Sequence, residues 1–172
     1  MSPMKNPLVT VLVLAVAAVL SPPARAWERV TVVVQEASGE TVSIQGTRLQ
    51  YGYYRREFTP KGVKDRLRVE KELPFADRDI KLADIESIEF TLEDDARTGK
   101  QVPTMMRIAH RPGGGESKTV ERAVADLRGF GNPKPVLLIL HTDEGKQELD
   151  ITPPYDDAAL EGYRPILKVL FE

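Results

Sequence analysis

A mainly β fold, an antiparallel sheet either closed as a small barrel or packed as a sandwich with at most one or two short helices, follows from three features of the sequence. Apolar and polar residues alternate in short runs, Gly- and Pro-containing turns separate those runs, and no strand pattern is followed by the long helical pattern that builds a parallel sheet.

The first run is Val30, Val32 and Val34 alternating with Thr31 and Gln35, which predicts a strand with the valines on one face. Ser38-Gly39 turns the chain into a second strand, Thr41 to Gln45, with Val42 and Ile44 in alternation. Arg48 to Phe58 reads as a longer strand with Leu49, Tyr51 and Tyr53 on one face, closed by Pro60-Lys61-Gly62. Arg66 to Glu70 predicts a short charged strand. In Asp79 to Leu92 the three-residue steps Leu82, Ile85, Ile88 predict a strand, one tight turn, and then a strand Ser87 to Leu92 carrying Ile88, Phe90 and Leu92 inward. Glu93 to Gly99 reads as a polar loop and Thr104 to His110 as a strand, ending in the Gly113-Gly114-Gly115 turn. Val120, Ala123, Val124 and Leu127 stand at i, i+3, i+4, i+7 and predict a helix over 120–127, although Val120, Arg122 and Val124 also fit one face of a strand. Val136 to Leu140, Asp143-Glu144-Gly145-Lys146 and Gln147 to Ile151 form the clearest hairpin. Asp156 is placed to cap a short helix that Gly162 closes. Arg164 to Phe171, apolar on both faces, predicts a central or well-covered last strand.

Residues 1–26 have the three parts of a secretory signal peptide: Lys5, an apolar run of 13 residues from Leu8 to Leu20 broken only by Thr10, and Ala24-Arg25-Ala26 after two prolines. The expectation is an exported protein, periplasmic or extracellular, consisting of a single β-rich domain over 27–172 with no transmembrane segment after cleavage. Cysteine is absent, so thiol chemistry and disulfides are excluded. Lys5 and Arg25 account for two of the 24 basic residues; the remainder carries 22 basic against 26 acidic, a net of −4 that disfavours nucleic acid as a partner. Charge is unevenly spread. Arg48 to Lys71 holds eight basic and three acidic residues, Glu72 to Asp95 nine acidic and two basic, and the expectation is that the two blocks face each other as neighbouring strands.

Catalytic and metal motifs are missing. With two histidines and no cysteine, structural zinc has too few ligands, and no HExxH is present. Glu93-Asp94-Asp95 and Asp156-Asp157 lack the spacing of a calcium loop. Gly113 to Thr119 fails as a phosphate loop because Ser117 and Pro112 stand where that motif needs glycine. No cofactor is expected. The strongest surface signal is Tyr51, Tyr53, Tyr54, Arg55 and Arg56, rings beside guanidinium groups within the basic block, a composition that holds sugars, anionic polymers or proteins. The leading expectation is therefore a non-enzymatic binding or structural module of the cell envelope, with an envelope protein or anionic polymer as partner. The alternatives are a small hydrolase using His110 and His141, both at the ends of predicted strands, and a calcium-dependent module using the acidic loops.

Overall fold

The computed structural model describes residues 27–112 and 118–172. The expected signal peptide and the Gly113–Ser117 part of the glycine turn lie outside the described residues.

Among the described residues twelve strands make three antiparallel sheets: β1 (Val30–Gln35), β2 (Thr41–Gly46), β3 (Arg48–Thr59), β4 (Gly62–Glu70), β5 (Glu72–Pro74), β6 (Asp79–Lys81), β7 (Ile85–Asp95), β8 (Lys100–His110), β9 (Thr119–Ala123), β10 (Leu137–Thr142), β11 (Gly145–Asp150) and β12 (Ile166–Phe171). The first sheet runs β2-β1-β12-β7-β8-β9, the second β11-β10-β3-β4, and β5-β6 is a small two-stranded ribbon. The two large sheets stack as a sandwich and do not close into a barrel. One short helix, α1 (Asp157–Glu161), and two 3₁₀ turns, Leu82–Asp84 and Val124–Asp126, complete the described chain.

Alternation explains which faces meet. Val30, Val32 and Val34 of β1, Ile85 and Ile88 of β7, Ile108 of β8 and Val169 of β12 are buried against Leu49 and Tyr51 of β3, Leu138 and Leu140 of β10 and Leu149 of β11. A one-residue slip in any of these strands would turn its apolar set to solvent, so burial sets the register. β12 lies between β1 and β7, the covered position that its two apolar faces require. Arg111 fastens one corner: its Nε donates to the Ile85 carbonyl at 3.1 Å and its Nη2 to the Phe171 carbonyl at 3.2 Å, while Trp27 stands edge-on to Phe171 at 4.9 Å. Asp156 caps α1, accepting from the Ala159 N–H at 2.9 Å.

Two expectations are corrected. The segment 120–127 is not a helix: β9 pairs with β8 from Met105↔Ala123 to Ala109↔Thr119, and only Val124–Asp126 coils, as a 3₁₀ turn. A helix of two or three turns is marginal alone, whereas pairing satisfies the open edge of β8 and still buries Val124. The basic and acidic blocks do not face each other either. β3 and β4 belong to one large sheet and β7 to the other, and the acidic block's ion pairs run to Arg122, Arg128 and Lys168, all outside the basic block.

Candidate functional site

β10 pairs with β3 only from Arg48 to Gly52, but β3 and β4 continue together from Tyr51↔Glu70 to Thr59↔Gly62. Residues 53–68 therefore form a two-stranded arm that runs on past the last residue of β3 to pair with β10. It carries six basic residues against two acidic ones.

The base of the arm is clasped by the segment 127–134. Tyr51 is fully buried, and its hydroxyl donates to the Arg128 carbonyl at 2.6 Å. Burial, with Glu70 and Tyr53 close by, pushes this phenol far up, so it keeps its proton and stays a donor. Tyr53 donates to Glu70 Oε1 at 3.0 Å, and Arg128 bridges Glu70 and Asp79 at 3.2 and 3.3 Å. Gly129 lies directly on the Tyr53 side chain at φ +89°, and a Cβ there would come within 2.5 Å of Tyr53 Cβ. On the opposite face Asn132 Nδ2 donates to the Tyr54 carbonyl at 2.9 Å, and Lys134 Nζ lies 4.6 Å from the centre of the Tyr54 ring. The three tyrosines thus anchor the arm.

Arg55 and Arg56 begin its free part and point to opposite faces, as successive strand residues must. Along one face stand Arg55, Arg66, Arg68 and Lys64, with Glu57 accepting from Arg68 at 2.5 Å and lying 3.9 Å from Arg66. Along the other, Phe58 is 83% and Val63 54% exposed, beside the Arg56–Asp65 pair at 3.6 Å. Two acidic groups cannot neutralise six cations, so the arm keeps a positive field, and its second face offers apolar contact. The five tyrosine and arginine residues of this stretch therefore divide: the tyrosines hold the base of the arm and the arginines begin its exposed part.

A concave feature lies elsewhere, assembled from segments that no sequence motif links. A cleft of about 260 Å³ is lined by Arg97, Val102, Pro103, Val124, Phe130 and Tyr155 among others, with the Arg97 guanidinium 4.4 Å above the Tyr155 ring. Its polar groups are mostly committed: Asp95 accepts from the Thr98 N–H and hydroxyl, and Asn132 is held by Tyr54 and Lys134.

The histidines sit in different sheets. His141 Nε2 lies 2.7 Å from Gln50 Oε1, and burial, then Arg48 and Lys146, lower its proton affinity. Among the described residues neither ring hydrogen-bonds a carboxylate, the orienting partner a histidine base requires. Nor is there a group of three His, Asp or Glu side chains able to hold a metal among the described residues. Asp95 and Asp156 cap local turns.

Asp150, on the outer face of β11 opposite Leu137, is pushed up to about 6 by burial and then by Glu148. Its ordinary value is 3.8, so between the two the folded state binds more protons than the unfolded one, and stability falls as pH rises from about 4 to about 6. Asp150→Asn is expected to raise stability at pH 7 by about 1 kcal/mol, allowing for solvent screening, and to flatten that fall; urea unfolding at pH 4 and pH 7 checks it.

No protein-family model matches the chain, and neither a curated protein nor a solved structure is detectably similar to it.

Proposed function

We propose that the chain is an exported, non-enzymatic binding module of the cell envelope that engages an anionic partner through the β3–β4 arm. The observation that carries this reading is the arm's charge: residues 53–68 are net +4 in a chain whose net charge is −2. An arm of that composition, held rigid at its base and bare beyond it, does nothing for the core, since no residue from 55 to 66 belongs to the core cluster. Export rests on the signal-like residues 1–26.

Binding of this kind releases counterions and must weaken with salt. Retention of the protein on immobilised polyglutamate is expected at low salt. Affinity should fall by about tenfold or more between about 50 and 200 mM salt, a steep dependence that several ion contacts require. Salt-independent retention, or none at low salt, would remove the arm's charge as the basis of binding.

A further inference from the structure

We infer that β4 accepts an acidic, strand-forming segment of another protein as a fifth strand of its sheet. This rests on the arm being the contact element proposed above and specifies what it contacts.

β4 is the outermost strand of the four-stranded sheet. Its nine residues make it the longest of the four edge strands of the two large sheets, against six in β2 and β11 and five in β9. In an antiparallel pair, alternate residues bond to the neighbour, so every second N–H and C=O of β4 points away from β3. Among the described residues none hydrogen-bonds to the backbone of Val63 to Val69 from that side. Exposed edges are usually guarded by charged side chains, a proline, a bulge or a covering segment, and of these β4 has charge alone among the described residues. β4 contains no proline and keeps unbroken register from Gly62 to Glu70, with Val63 54% and Val69 44% exposed. The opposite edge of the arm is obstructed at its base, where Asn132 bonds the Tyr54 carbonyl.

Side-chain chemistry selects the partner. Lys64, Arg66 and Arg68 form a row on one face of β4, successive members roughly 6.6 Å apart, which is the spacing at which an added strand presents its own alternate residues. Glu57 lies behind Arg66 and Arg68, but Arg55 stands opposite Arg66, so the row stays cationic. On the other face Val63, Leu67 and Val69 are apolar, and Asp65 is occupied by Arg56. A strand with Asp or Glu at alternate positions and apolar residues between them sets carboxylates beside the cations and apolar side chains beside the valines. A second copy of β4 added antiparallel sets cation against cation, so the same row that admits an acidic strand repels the chain's own edge.

The test is fluorescence titration of the protein with labelled peptides as long as β4, at neutral pH. One alternates Glu and Val. A second has the same composition with all Glu before all Val, and a third is the alternating peptide methylated on the backbone nitrogens of one edge. The alternating peptide is expected to bind about tenfold tighter than either of the others. The triple variant Lys64→Glu/Arg66→Glu/Arg68→Glu, with thermal unfolding confirming its fold, is expected to reject it and accept an alternating Lys-Val peptide. Equal binding of all three acidic peptides by the native protein overturns strand addition and leaves the charge-based reading standing. Tighter binding to phosphatidylglycerol vesicles than to the alternating peptide overturns it in favour of a lipid surface. Failure of every anionic probe to bind overturns both readings.

Discussion

Gly129→Ala is expected to destabilise the protein by about 3–5 kcal/mol. Two costs add at this position. The backbone stands at φ +89°, where an L side chain is strained, and the new Cβ would meet Tyr53 Cβ at 2.5 Å, too close for either strand or loop to keep its place. Gly39 separates the two costs. Its φ is +85°, yet nothing lies within 4 Å of an added Cβ, so Gly39→Ala reports the backbone cost alone, about 1 kcal/mol. At 2–4 °C per kcal/mol, Gly129→Ala should lower the melting temperature by about 10 °C and Gly39→Ala by only a few degrees. Equal shifts would mean that the loop is not seated on the arm's base. The difference matters for function, because the same loop supplies the Arg128 carbonyl to Tyr51 and the Arg128 guanidinium to Glu70.

Most strands were legible because one face of each is buried and the other wet, so a period of two is written into the residues themselves. β1 and β11 are of this kind, β10 reads instead as a continuous apolar run buried on both faces, and the turns at Gly39 and Gly145, both with positive φ, mark where the chain reverses. β5 was not legible, since three residues are too few to display a period, whereas β6 was marked only by the turn at Leu82 that follows it. β9 was ambiguous for a different reason. Val120, Ala123, Val124 and Leu127 fit a helix face, and only pairing with the open edge of the preceding strand β8 decides for a strand. The candidate site follows the same division. Its composition, basic residues interleaved with tyrosines, stands in one segment and was read there. That the tyrosines anchor while the arginines project depends on β10 ending its pairing at Gly52 and on the segment 127–134 folding over the base, neither of which is local. The cleft beside Arg97 is assembled from separate segments. Its one local signal was Phe130 between Gly129 and Gly131, an aromatic residue with no strand to pack in.

The arm as contact element is tested most directly by removing it. Residues 55–66 can be replaced by Asn-Gly, which leaves a four-residue loop, Tyr54-Asn-Gly-Leu67, closed by the cross-strand partners Tyr53 and Arg68. The excised residues contribute nothing to the core cluster, while the Tyr51–Arg128 bond and the Glu70–Arg128–Asp79 pairs all remain. The melting temperature is therefore expected to change by no more than about 2 °C. The six cations of the arm fall to one, Arg68, and its exposed apolar face goes with them. Affinity for polyglutamate at low salt, measured for the intact and trimmed proteins side by side, is expected to drop by about 100-fold. A trimmed protein that folds and binds as tightly as the intact one would contradict the account, since the contact surface would then lie elsewhere. A trimmed protein that fails to fold would contradict it as well, since the arm would then be part of what holds the sandwich together.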